Sequence, residues 1–186
     1  MSRSLRASFI TILIILSLSL SGCNSPISGL KSYADVSQGY EFLYPNGWIA
    51  VNLEGVKKGV KVIFRDLIER TENLSVIVSE VPQEQTLKDL GTPTEIGYGL
   101  LKTVIAPKGS ERQADLVGAE VKDDPSQTYY TLEYEVKLAN GRERHNLASV
   151  AISNGQLFTF NVSVPEKRWS KLEKRLEAVV DSFTVY

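Results

Sequence analysis

The spacing of apolar residues changes from block to block along the chain, and each spacing predicts a different element. Phe9 to Leu20 reads F-I-T-I-L-I-I-L-S-L-S-L, an apolar run behind a short segment that bears Arg3 and Arg6 and no acid. At about 12 residues it is too short for a hydrocarbon core of roughly 30 Å, which takes about 20 residues of helix, so it reads as the h-region of a secretory signal. Gly39 to Trp48 (G-Y-E-F-L-Y-P-N-G-W) predicts a short strand, a Pro-Asn-Gly turn and a second strand from Trp48 to Asn52. Val60 to Arg65 and Leu74 to Val81 are rich in β-branched residues, and the polar segment Asp66 to Asn73 separates them. Four strands are therefore expected before the first helix.

That helix is signalled by Thr92-Pro93-Thr94-Glu95, with Thr92 at the N-cap, Pro93 at the first helical position and Glu95 completing a capping box. Ile96, Leu100, Leu101 and Val104 supply its apolar stripe. In the second half, Tyr130 to Leu138 alternates strictly, and Gln113 to Lys122 predicts a neighbouring strand with Gly118 as a bulge. Asn140-Gly141 and Asn154-Gly155 signal tight hairpins. Read as two-residue turns, the first pairs Leu138 with Glu143, Val136 with His145 and Tyr134 with Leu147. The second pairs Ala151 with Phe158 and Leu147 with Val162. One face is then expected to carry Tyr134, Val136, His145, Leu147, Phe158, Phe160 and Val162. Trp169, Leu172, Leu176, Val179, Val180 and Phe183 recur at steps of three or four, which predicts a last helix lying on the sheet. The expected fold class is α/β (α+β), an antiparallel β-sheet sandwiched by helices, in the order four strands, helix, four strands, helix.

Single residues narrow the chemistry. The chain of 186 residues has one Cys and one His, so a disulfide framework and a structural zinc site of three or four Cys/His ligands are excluded. Its 21 basic and 22 acidic residues argue against a nucleic-acid partner. The lone Cys23 ends Leu20-Ser21-Gly22-Cys23, directly behind the h-region, and this tetrapeptide resembles the bacterial lipobox. In such a motif the Cys becomes the first mature residue and carries a diacylglyceryl thioether, which leaves no thiol in the folded domain. Residues 1–22 are thus expected to be a lipoprotein signal peptide, 23–36 a lipidated flexible tether and 37–186 one domain. Processing removes two Arg and no acid, leaving 19 basic residues against 22 acidic, a net charge of −3. Attachment to a membrane is then expected from acyl chains, at about 0.8 kcal/mol per buried CH₂, rather than from net charge.

Searches for catalysis return nothing, and the chain is expected not to be an enzyme. No G-x-S-x-G or P-loop occurs, and Gly97-Tyr98-Gly99 lacks the third glycine of a dinucleotide fingerprint. Asp123-Asp124-Pro125 reads as a turn. His145 is expected as a strand histidine near Val136 and Val164, with a weak zinc or calcium site formed with Glu143 as the sharper alternative; no other cofactor is expected. Tyr40, Tyr44 and Trp48 are read as core aromatics, with a docking patch as the alternative. No residue is assigned to partner binding.

Several stretches together resemble the PsbP family. They are Tyr40 to Trp48, Phe64 to Ile68 with Glu72 to Val76, Gly91-Thr92-Pro93, Tyr129 to Tyr134, Arg144-His145-Asn146-Leu147, Lys167-Arg168-Trp169 and Val180 to Val185. The resemblance spans about Tyr33 to Tyr186, and with the lipobox it is to the cyanobacterial lipoprotein form. It implies a PsbP-like αβα sandwich and an extrinsic protein of photosystem II, anchored on the lumenal side of the thylakoid membrane. Such a protein is expected to be monomeric, to dock on lumenal surfaces of reaction-centre subunits, and to act in assembly or stability of the complex. Plant members help the oxygen-evolving centre retain calcium and chloride, partly through an N-terminal extension. Here only Asn24 to Val36 separates the anchor from the first expected strand. The alternative is a general envelope lipoprotein that uses a PsbP-like fold to bind a small ligand or a transporter subunit.

Overall fold

Strict alternation and β-branched runs become one broad antiparallel sheet, and the two helical stripes lie on its opposite faces. The computed structural model describes residues 28–55, 59–125 and 127–186, so the signal segment and Leu20-Ser21-Gly22-Cys23 lie outside the described residues. The elements are β1 (Leu30–Asp35), β2 (Tyr40–Pro45), β3 (Trp48–Ala50), β4 (Val60–Asp66), β5 (Asn73–Glu80), α1 (Leu87–Leu90) and α2 (Pro93–Leu100), which runs on as a π-helical turn (Leu101–Ile105). After these come β6 (Gln113–Asp123), β7 (Thr128–Lys137), β8 (Glu143–Ser153), β9 (Gln156–Pro165), α3 (Glu166–Asp181) and β10 (Thr184–Val185). Seven strands form the middle layer in the order β3-β4-β5-β9-β8-β7-β6, and β1-β2-β10 make a small second sheet. The sandwich is of the expected class.

One face of the large sheet is covered by α3 and the small sheet. Phe42, Phe64, Leu74, Val76, Phe158, Phe160 and Val162 meet Leu176, Val179, Val180 and Phe183 there in one continuous core. Rings interlock within it, with Phe42 and Phe160 centroids 4.8 Å apart and Phe160 and Phe183 stacked at 5.0 Å. Each fully buried side chain of this size contributes roughly 1.5–3 kcal/mol through desolvation. The opposite face holds Tyr130, Leu132, Tyr134, Val136, Ala148 and Val150 under α1, α2 and the π-helical turn.

Two expectations need correction. Leu30–Asp35, placed in the tether, is strand β1, paired antiparallel to β2 from Leu30↔Pro45 to Asp35↔Tyr40. Leu30 and Tyr33 pack on the aromatic core, where the Tyr33 ring lies 5.1 Å from Phe42 and 5.4 Å from Phe64. Backbone pairing with β2 and the packing of these two side chains together hold the strand. Five strands rather than four therefore precede the helices, and β2 and β3, joined by Asn46-Gly47, belong to different sheets.

The second correction is one residue of register. The Asn154-Gly155 hairpin is as expected, with φ of 50° and 70° at its two residues and Ala151 opposite Phe158. At Asn140-Gly141 only the glycine has positive φ, 77°. Gly141 N donates to Leu138 O and Leu138 N to Arg142 O, both at 2.8 Å, which is a three-residue loop with a glycine bulge. The pairs are therefore Val136↔Arg144, Glu135↔His145 and Tyr134↔Asn146. A slip of one residue moves every β7 side chain to the other face relative to β8. Tyr134 and Val136 thus lie on the α2 face, away from His145 and Leu147.

Candidate functional site

Antiparallel pairing of β8 with β9 sets Arg144 opposite Pro165, so the first turn of α3 rises directly beside the start of β8. His145 points toward that turn. Its ring stacks on Trp169 with centroids 3.8 Å apart and planes 9° from parallel. Nδ1 lies 3.0 Å from Glu166 Oε2, Nε2 lies 2.7 Å from Glu133 Oε1, and only 4% of the residue is exposed. The register slip is what brings Glu133 and Glu135, rather than Val136, to this side. The histidine is therefore a buried connector between β7, β8 and α3, with a carboxylate within hydrogen-bond distance of each ring nitrogen and a ring stack on Trp169.

Glu143, the carboxylate expected to join His145 in a metal pair, is exposed and is not among the ring's hydrogen-bond partners. Both ring nitrogens are already engaged, so a metal there would have to displace a carboxylate. Among the described residues, no group of three or more His, Cys, Asp or Glu is placed to hold a metal ion.

Alternation along β8 sends Arg144 to the other face. Its Nε donates to Ser163 Oγ at 2.9 Å and its Nη2 to Thr71 O at 2.6 Å. Ser163 Oγ donates to Asn146 Oδ1 at 2.6 Å, and Asn146 Nδ2 to Asn161 Oδ1 at 3.4 Å, forming a buried polar row across β8 and β9. Burial, reinforced by Arg142 and Arg112, holds the Arg144 guanidinium below its ordinary value, while Glu72 and Glu69 oppose the shift. Glu72, buried at the start of β5, is ion-paired to Arg168 Nε on α3. Burial pushes its carboxyl above the usual range, Arg168 pulls it back, and Asp66 and Glu69 add to the rise.

Of the other candidates, Tyr40 and Trp48 are buried in the core and Tyr44 packs against it, so the docking-patch alternative is not met. Burial raises the Tyr40 phenol above its ordinary value. Gly97, half of the incomplete dinucleotide pattern, serves packing instead. A Cβ there would lie 2.7 Å from Leu116 Cδ2, and Tyr134 Oη donates to Gly97 O at 3.1 Å. Sequence reasoning missed Glu133, Glu166, Glu72 and Arg168 as partners, because their spacing follows no single element. A signal did exist in the stretches Glu72-Asn73, Arg144-His145-Asn146 and Lys167-Arg168-Trp169, far apart in sequence, which the fold gathers at one end of the sheet.

This end presents fixed cations, carboxylates and a Trp-His stack side by side.

The PsbP family model matches residues 28–185. CyanoP of Synechocystis sp. is 48% identical over 187 residues that span 100% of both chains. CyanoP of Thermosynechococcus vestitus is 46% identical over 182 residues, covering 96% of this chain and 97% of that one. The solution structure of the Synechocystis sp. PCC 6803 protein matches with a TM-score of 0.74 at 51% identity, over 90% of this chain and 99% of the other. With the sandwich, the capped helix and the gathered stretches already in place, these likenesses show that the chain belongs to the PsbP family.

Proposed function

We propose that this chain is a non-enzymatic accessory lipoprotein of photosystem II, anchored through Cys23 on the lumenal face of the thylakoid membrane and acting by docking during assembly or stabilisation of the complex. The likeness to the PsbP family along residues 28–185 carries the reading. One further feature supports it: Leu20-Ser21-Gly22-Cys23, directly behind an apolar run, resembles a lipid attachment motif. Anchoring suits a weak docking protein, because confinement to the membrane raises its effective concentration near membrane-bound partners. The end built on Arg144, His145 and Trp169 is the docking surface in this reading.

An affinity-tagged copy in a photosynthetic bacterium tests it. Photosystem II assembly intermediates are expected to co-purify well above the level seen with an unrelated lumenal lipoprotein. Equal recovery from both baits would point to the envelope-lipoprotein alternative. Mass spectrometry of the mature protein should show a diacylglyceryl group on Cys23, and an unmodified Cys23 thiol would remove the anchor.

A further inference from the structure

Beside Arg144, where the helical cover of the α2 face stops short of β5, β8 and β9, the surface sinks into a pocket of about 350 Å³. Arg65, Arg70, Arg112 and Arg144 line it, and no carboxylate does. None of the four is ion-paired among the described residues. In a mature chain with more acids than bases, four unpaired guanidinium groups around one cavity are not a consequence of composition. Two of them are fixed in place. Arg112 Nη1 donates to Ile105 O at 3.2 Å, and Arg144 is held by Ser163 and Thr71 while its Nη1 has no partner among the described residues. The floor adds buried Asn161, whose Nδ2 likewise makes no hydrogen bond among the described residues. Planar guanidinium forks and an amide donor lining one cavity match a tetrahedral oxyanion of the phosphate class.

Position indicates where that phosphate comes from. Arg65 lies near the end of β4 and Arg70 within the β4–β5 loop, which exposes Leu67 and Ile68 at 54% and 95%. Leu67 N donates to Gly47 O at 3.2 Å, and the adjoining Asn46 N donates to Gly29 O at 2.8 Å. Gly29 is where the chain leads back toward Cys23. Six residues can span at most about 20 Å, so an acylated Cys23 would hold this end against the bilayer. Two exposed aliphatic side chains beside four cations are the arrangement by which a protein seats itself at an anionic lipid interface.

We propose that this end of the domain is a lipid headgroup site, in which Arg65, Arg70, Arg112 and Arg144 bind the phosphate of an anionic membrane lipid while Leu67 and Ile68 enter the interface. The anchor reading supplies the nearby membrane; the chemistry of the pocket does not depend on it. Both cores close within residues 28–186, so the mature chain carrying Cys23→Ser is a suitable sample for vesicle flotation. Binding to phosphatidylcholine vesicles that contain phosphatidylglycerol is expected, with little binding to phosphatidylcholine alone. Arg65→Gln with Arg70→Gln, at two exposed positions that leave the fold intact by melting, should weaken it roughly 30-fold, from about 1 kcal/mol per basic residue at a membrane surface. Ile68→Ser should weaken it several-fold. Binding that is unchanged in the double variant, or indifferent to phosphatidylglycerol, overturns the proposal. So does arginine-dependent binding of inorganic phosphate as tight as that of vesicles, which would assign a free anion, or of poly-glutamate without vesicle binding, which would assign a protein partner. Because this sample lacks the acyl chains, its result stands apart from whether Cys23 is lipidated in the cell.

Discussion

The two faces of the large sheet are built from the same strands and do different work. Under α3 and the small sheet, the aromatic core runs without interruption from Tyr40 to Phe183. On the α2 face, the apolar layer of Leu132, Tyr134, Val136 and Val150 gives way to Asn146, Asn161 and Ser163 at the end of β8 and β9. Alternation alone permits either arrangement. What separates them is cover: α3 spans 16 residues, whereas α2 and its π-helical turn stop beside β6 and β7. One face therefore supplies stability, and the other can afford a buried polar row and a cationic pocket.

Substitutions should respect that division. Phe160→Ala removes a fully buried ring from the centre of the aromatic face and is expected to cost about 3–5 kcal/mol in chemical denaturation. A cost below about 1 kcal/mol would mean that this face is not the main core. On the α2 face the tightest point is Gly97. Gly97→Ala should cost about 1–3 kcal/mol through overpacking against Leu116, and Leu116→Ala in the same chain should recover part of it. At the shared end, His145→Gln forfeits the Trp169 stack, an expected loss of about 0.5–1.5 kcal/mol beyond area burial. Glu133 and Glu166 are partly exposed and can be rehydrated, so the near-ultraviolet signal of Trp169 should change more than the melting temperature.

The smallest effect expected is a pH dependence. The folded state raises the Glu72 carboxyl above its ordinary value of 4.5, chiefly by burial. A group raised by folding binds its proton more tightly in the native state, so its stabilising share is complete at acid pH and is lost as pH rises through the folded value. Stability profiles of the native chain should therefore fall relative to Glu72→Gln as pH rises above 4.5. A gap that widens in the opposite direction would show that Arg168, not burial, dominates.

Much of the fold was legible because local chemistry agreed with the pattern. Thr92 and Glu95 form the expected capping box, with Thr92 Oγ1 accepting from Glu95 N and Glu95 Oε2 accepting from Thr92 N at 2.8 Å. The bulge in β6 falls between Leu116 and Gly118. Short elements without periodicity were not legible. Strand β1 shows only Leu30 and Tyr33 as inward apolar signals, and α1, capped by Thr86 and Asp89, is a single turn. The site was harder still. Its histidine was visible as the only one in the chain, but its partners depended on whether Asn140-Gly141 makes a two-residue or a three-residue loop. One residue of slip exchanges Val136 for Glu133 and Glu135, and so exchanges an apolar setting for one flanked by carboxylates. The arginines of the pocket come from β4, the β4–β5 loop, the segment before β6, and β8, and no spacing rule links those segments.

The central claim is that the chain docks through the end where β8 starts and α3 begins. A photo-crosslinking residue at exposed Lys167, in the membrane-bound protein of a photosynthetic host, measures this most directly, with the same residue at exposed Glu84 near the opposite end as its control. Adducts with photosystem II subunits from position 167, and few from position 84, are the predicted result. Equal adducts from the two positions, or photosystem adducts from 84 alone, would contradict the account.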